Sequence, residues 1–477
     1  ISVGLEFRRV LFRSALRFRF PKKALLRQGF FLYAASMTEA PKSIDTLIEA
    51  RWIVPADGNR RVLIDHAVAV ADGRIEAVLP TLEARQRYDA AEVIALNEHA
   101  LLPGLINLHT HAAMTLMRGM SDDRPLMDWL SNHIWPAEQK HVSDAFVYDG
   151  TRLACAEMLL GGVTTFNDMY FFPRAAARAT ADAGMRAAVG MIVIDFPSAY
   201  ASDAQDYLSK GLAFRDEMKG QPLLHFCFAP HAPYTVNDEH LRNVATYAGE
   251  LDLPVQIHLH ETREEIEESV KTHRVRPLQR LHAAGLLGPG LIAVHAVHLN
   301  PDELALLARH GCHVAHCPSS NLKLGSGIAP LAAMIEAGIN VGLGTDGAAS
   351  NNRLDLFAEM RLAALLAKGA GHDATAVPAW QALEMATING ARALALDDRT
   401  GSISAGKYAD LTAVDLSAIS TTPCYDPVSH IVYAAGRENV TDVWVQGRRV
   451  VDRGELLSLD KNELLARSHY WRDRLQD

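Results

Sequence analysis

The sequence predicts an α/β chain: a (β/α)8 TIM-like barrel inserted into a small β-sandwich domain built from both termini. Three observations carry this. Apolar runs that read as buried parallel strands recur between Leu101 and Gly344, with helical stretches between most of them. Two β-rich segments bracket that region, from about Thr46 to Leu79 and from Ala409 to Val451. No Gly-x-Gly-x-x-Gly follows an early strand, which removes the best argument for an open dinucleotide-binding sheet.

The length of 477 residues suits one barrel of ~250 residues plus a second domain. Hydrophobic residues at 49% and charged residues at 22% argue against a disordered or fibrous chain. No run approaches the ~20 apolar residues that span a bilayer. A net charge of −9 disfavours nucleic acid held by a general basic field. The five cysteines form an odd, scattered set, which reads as reduced and cytoplasmic rather than as a disulfide framework.

Residues 1–36 carry eight arginines and lysines against the single acid Glu6. A basic, acid-poor leader resembles a targeting segment, but its apolar stretch Phe30 to Ser36 is short for a signal peptide. A non-native translated extension is the preferred reading, and the segment is set apart from the fold. Residues 37–102 supply the first part of the sandwich: Thr46–Val54, a turn at Asp57-Gly58-Asn59, Val62–Val70, Asp72-Gly73 and Ile75–Leu79. Asp-Gly between apolar runs marks a hairpin. Residues 103–400 form the barrel. Its eight strands are read at Leu101–Leu108, Gly162–Asn167, Ala187–Ile194, Leu223–Ala229, Val255–Leu259, Leu291–Val297, His313–Ala315 and Val341–Gly344. Asp149–Leu160, Glu239–Leu251 and Pro301–Arg309 have helical spacing. Residues 401–477 complete the sandwich, with Gln446-Gly447 as a further turn, and end in a helix.

A barrel presents its chemistry at the C-terminal ends of its strands. Those ends carry His109-Thr-His111, His231, His258-Leu-His260-Glu261, His295 with His298, and Asp346. Side chains alternate along a strand, so a His-x-His pair faces one side and two imidazoles can grip one ion. One such histidine would read as an ordinary core residue; the set at matching ends does not.

These residues bring a family resemblance with them. Pro103-Gly104-Leu105-Ile106-Asn107-Leu108-His109-Thr110-His111, His258-Leu259-His260-Glu261, His295 and Gly344-Thr345-Asp346-Gly347 resemble the metal motifs of the amidohydrolase superfamily. The resemblance runs from about Leu47 to Gly447. It is greatest to the group of 5′-methylthioadenosine/S-adenosylhomocysteine deaminases, guanine deaminases and triazine hydrolases. It implies that His109, His111, His258 and Asp346 hold one divalent metal, Zn²⁺ by the nitrogen-rich donor set, with Fe²⁺ as the alternative. Binuclear branches use a carboxylated lysine from the fourth strand, and Leu223–Ala229 contains no lysine, so a mononuclear site follows. Asp346 would accept a proton from the nucleophilic water, His295 would orient it, and Glu261 would pass a proton to a ring nitrogen. The plainer role for Glu261 is an acid at the start of a helix over Thr262–Val270.

His260 could replace His258 in another register, but the spacing from His231 and to Glu261 favours His258. His298 reads as structural, and Cys312-His313 with His316-Cys317 lacks the spacing of a zinc knuckle.

For substrate, the resemblance points to Glu138 in Trp135-Pro136-Ala137-Glu138 as the group that binds ribose hydroxyls, with a solvated helix-start acid as the plain alternative. It makes His231 a substrate contact and, more loosely, Trp129 and Ser350, with Glu261 and Asp346 also at the substrate. Met114, Met117, Trp129 and Trp135 suit a flat heterocycle or thioether, or equally loop packing. Arg215 is the sole arginine near 200–215 for an amino-acid carboxylate. The implied activity is hydrolytic deamination of methylthioadenosine, S-adenosylhomocysteine or adenosine. Another flat N-heterocycle (guanine, 8-oxoguanine or a triazine) is the alternative, with an inactive scaffold behind it. The partners expected are a small nucleoside and further copies of the chain, as dimer or tetramer, without nucleic acid or membrane.

Overall fold

The computed structural model describes residues 40–476; the expected leader 1–36 lies outside the described residues. Eight strands form one sheet in chain order: Leu105–Thr110, Val163–Asp168, Arg186–Val193, Leu224–Pro230, Val255–Leu259, Leu291–His295, His313–His316 and Asn340–Leu343. Neighbouring strands are parallel. The first and eighth meet at their C-terminal ends, where the Asp346 amide donates to the His109 carbonyl at 3.0 Å. The Thr345 amide donates to Asn107 Oδ1 at 2.9 Å beside it. The sheet therefore closes into the expected barrel. Its strands are covered on both faces, which is why they read as apolar runs rather than alternations.

The covering helices start where the sequence supplies caps. Ser143, Asn237 and Asn300 accept backbone N–H groups at the starts of Asp144–Leu160, Asp238–Leu251 and Pro301–His310. Asn300 and Glu303 satisfy each other's amides in a capping box, and Gly311, at φ 66°, ends that helix.

The second sheet has eight strands in the order Glu455–Leu456, Arg448–Asp452, Val440–Val445, Leu411–Asp415, Tyr88–Pro103, Lys42–Ile53, Leu63–Ala71 and Arg74–Pro80. It is mixed: Tyr88–Pro103 runs parallel to Lys42–Ile53 and antiparallel to Leu411–Asp415. Both ends of the chain thus share one hydrogen-bonded sheet. Consecutive positive φ values at Asp72-Gly73 and at Gln446-Gly447 make two tight hairpins. The sheet curls until these meet: the Ala409 amide donates to Gly73 O at 3.0 Å, and a Cβ on Gly73 would lie 2.6 Å from Gln446 O. Ile48, Val68, Ile75, Leu101, Leu411 and Trp444 fill the core this curl encloses.

One element departs from expectation. Leu101–Leu108, read as a single barrel strand, belongs to two: Tyr88–Pro103 in the small sheet and Leu105–Thr110 in the barrel. Gly104 divides them, and a Cβ there would sit 2.1 Å from Thr164 Oγ1. An apolar run does not reveal that its two halves pair with different sheets.

Candidate metal centre and adjoining cavity

The histidines at the strand ends converge. His109 and His258 stand with their Nε2 atoms 3.1 Å apart. Ligand atoms of His109, His258, His295 and Asp346 all lie within 4.8 Å of one another, and all four residues are buried. His111 joins through Asp346: its Nε2 is 3.2 Å from Asp346 Oδ1, and that of His109 is 3.4 Å away. The four ligands expected from the sequence are therefore together, with His295 added to the same cluster.

The surrounding hydrogen bonds orient each group. His109 Nδ1 lies 3.0 Å from Gln256 Oε1, and His111 Nδ1 lies 2.6 Å from the Met169 carbonyl. Both acceptors hold Nδ1–H and so turn Nε2 toward the cluster. His295 Nδ1 is held likewise by Asn321 Oδ1 at 2.8 Å. Asp346 uses its two oxygens differently. Oδ2 accepts from Ser320 Oγ at 2.7 Å and Ser350 Oγ at 2.6 Å. Oδ1 is buried with no hydrogen-bond donor. A buried carboxylate oxygen without a donor, among imidazole nitrogens, is what a cation requires.

Electrostatics agree with that use. Burial pushes His109 down to about 4 and His231 to about 3, and holds His258 well below its ordinary value, so their rings are neutral. Burial also acts on His111, but Asp346 and the Met169 carbonyl outweigh it and raise that ring to about 9. The carboxylate is thus a strong attractor of positive charge at the cluster. Asp346 and His295 both hold left-handed backbone, at φ 59° and 70°, a strained conformation kept where surroundings over-determine it.

A cavity of about 310 Å³ opens beside the cluster. It is lined by His111, His258, His295 and Asp346, and by every expected substrate contact: Trp129, Glu138, His231, Glu261 and Ser350. Ser350 spends its hydroxyl on Asp346. Glu261 carries the carboxyl nearest His295, at 3.8 Å from Nε2. Burial, with the Asp346 charge, pushes Glu261 up to about 8. Glu138 on the short helix Trp135–His141 accepts from Tyr170 Oη at 2.7 Å rather than facing open solvent. Burial pushes it up to about 7 despite that bond. Met114, Trp129 and Trp135 line the cavity, whereas Met117 packs in the adjoining core.

Other readings resolve plainly. His260 is buried away from the cluster, with Nε2 accepting the Leu278 amide. His298 lies 2.8 Å from the Ser326 carbonyl through Nε2. Cys312 and Cys317 are buried outside the metal-capable group found among the described residues. Arg215 pairs with Asp216 and does not line the cavity. Sequence reading missed Gln256, Ser320, Asn321 and Tyr170. Gln256 had a signal, since it precedes His258 by two on one strand; the others come from elements with no pattern of their own.

The amidohydrolase family model matches residues 100–450. The chain belongs to the amidohydrolase family. Within it, the chain is 47% identical over 433 residues to a 5-methylthioadenosine/S-adenosylhomocysteine deaminase of Teredinibacter turnerae, covering 91% of this chain and 98% of that protein. Identity to the enzyme of that name from Saccharophagus degradans is 46%, over 91% and 97% of the two chains. A crystal structure of an adenosine deaminase from Xanthomonas campestris with bound zinc superposes with a TM-score of 0.90 at 49% identity, covering 91% of this chain and 99% of that one. Among the described residues no helix is long and apolar enough to cross a membrane.

Proposed function

We propose that this amidohydrolase is a metal-dependent aminohydrolase that converts adenine nucleosides, 5′-methylthioadenosine and adenosine first among them, to the inosine analogues and ammonia. One observation carries the reading: a single cavity is lined both by the histidine–aspartate cluster with Glu261 and by Glu138. The near full-length similarity to nucleoside deaminases supports it.

His109, His111, His258 and Asp346 would hold one divalent ion, with Zn²⁺ favoured over Fe²⁺ by the imidazole-rich set. The ion would supply Lewis acidity that makes water nucleophilic near neutral pH. Asp346, with Oδ2 held by two serines, takes the proton released as water attacks the amino-bearing carbon. Glu261, protonated at neutral pH, gives its proton to the adjacent ring nitrogen, so the carbon becomes electrophilic. His295, fixed by Asn321, holds the attacking water. Asp346 then returns its proton to the exocyclic nitrogen, the C–N bond breaks to release ammonia, and the remaining hydroxyl proton passes to Glu261 as the carbonyl forms. Trp129, His231 and the apolar wall hold the base, and Glu138 accepts from the ribose hydroxyls.

The cavity's apolar lining includes Leu126, Phe171, Ile192, Ile194 and Phe196, and the proposed reading sets the group at the 5′ carbon against this wall. Among the described residues, no lysine or arginine lines the cavity. A methylthio or hydroxyl group suits that wall; a zwitterionic amino-acid chain does not. The same reading makes the protein a cytoplasmic homo-oligomer, dimer or tetramer, and sedimentation tests the assembly.

The deciding experiment measures ammonia release from a panel of nucleosides and free bases. Methylthioadenosine and adenosine should be turned over with kcat/KM well above S-adenosylhomocysteine, guanine and triazines. Metal removal by a chelator should abolish turnover, and Zn²⁺ should restore it at about one ion per chain. Preference for a free base would sink the nucleoside reading.

A further inference from the structure

Tyr170 stands at the mouth end of the second barrel strand, buried, two residues past Asp168. Its hydroxyl donates to Glu138 Oε1 at 2.7 Å, a hydrogen bond from the barrel to the short helix that carries Glu138 at the cavity. The ring has two aromatic neighbours: Phe171 lies 5.3 Å away and His111 6.4 Å away, centroid to centroid. A two-torsion aromatic packed this way has little freedom to lose, so its hydroxyl is a pre-set donor.

We infer that Tyr170 is a positioning residue for the substrate's ribose: it pins one oxygen of Glu138 and leaves the other to receive the vicinal diol. Glu138 then meets the diol in one orientation, at a fixed offset from the metal cluster that His111 shares with Tyr170 as a neighbour. The inference rests on the proposed role of Glu138. Tyr170 touches neither the reacting carbon nor the proposed ligand atoms, so its effect must pass through Glu138. The phenol also opposes the burial that raises the Glu138 carboxyl.

The test compares wild type with Tyr170→Phe, which keeps the ring and its packing. Substrates are adenosine and 2′,3′-dideoxyadenosine, and zinc content is measured alongside. For adenosine, KM should rise roughly 10-fold, the worth of one hydrogen bond to a charged group, with kcat within about twofold. For the dideoxy substrate, variant and wild type should coincide, and zinc content should not change. In a Glu138→Ala background, which has no acceptor for the phenol, Tyr170→Phe should have little further effect, because the two act as a unit. An equal loss on both substrates, a fall in zinc, or unchanged KM for adenosine overturns the inference. Those outcomes leave the role of Glu138 standing if wild type still prefers the diol. Wild type indifferent to the diol would remove that role, and the inference with it.

Discussion

Asp346 has a separate task for each oxygen. Oδ2 is fixed by Ser320 and Ser350, and Oδ1 points at the imidazoles without a donor. Asp346→Asn replaces one oxygen by an NH₂ group, so it removes the charge together with the proposed proton acceptor and the proposed cation contact. Activity should fall by more than the ~10²–10⁴ of a single acid–base group, and bound metal should drop below one per chain. Retained activity with a full complement of metal would contradict the assignment. Gln256 works one step back: its amide donates to Asn167 and to the Asp168 carbonyl, which turns Oε1 toward His109. Gln256→Leu should weaken metal binding about 10- to 100-fold in a chelator competition. Unchanged affinity would mean the ring of His109 is held by packing alone. His109, His111, His258 and Asp346 were legible because each stands at a strand end, whereas Tyr170 was hidden because an aromatic there reads as core.

Strands and helices follow from periodicity and caps, and the barrel strands fall within a few residues of where apolar runs place them. The exception is instructive. Tyr88–Pro103 is the longest strand in the small sheet, yet its first half is mostly exposed and broken by Asp89 and Glu92, so no alternation announces it. It is a strand because Lys42–Ile53 and Leu411–Asp415 flank it and pair with its backbone. Its exit depends on Gly104. Gly104→Ala would drive a methyl into Thr164 and should cost ~1–3 kcal/mol, read as a lower denaturant midpoint. Full stability would show that the Leu105–Thr110 and Val163–Asp168 strands have room to separate.

At the scale of the whole molecule, barrel and small sheet are joined by a buried ion pair. Arg186 on the third barrel strand donates to Asp410 at 3.0 and 3.2 Å, just before the small-sheet strand Leu411–Asp415. Asp410 also accepts from Thr400 and from the Gln446 amide, and Arg186 lies over the Tyr408 ring at 4.5 Å. Both partners are almost wholly inaccessible. Removing one leaves the other charged and unpaired, so Arg186→Met or Asp410→Leu alone should cost ~3–5 kcal/mol. The double variant should lose less than the two single losses combined, because no orphaned charge remains. Additive losses in urea unfolding would show that the pair is not coupled.

The sequence by itself determined the class of fold, the approximate positions of the barrel strands and which histidines and aspartate stand at the strand ends, because periodicity and strand-end placement are local properties. Only the tertiary structure decided how those residues are used. The cation-ready oxygen of Asp346 exists because serines from two separate segments occupy its partner. The tautomer of His109 depends on a glutamine on the fifth strand, and the setting of Glu138 on a tyrosine that follows the second. Apart from Ser350, four residues beyond Asp346, each partner comes from a different segment of the chain, and no pattern along the chain records which strand ends will meet.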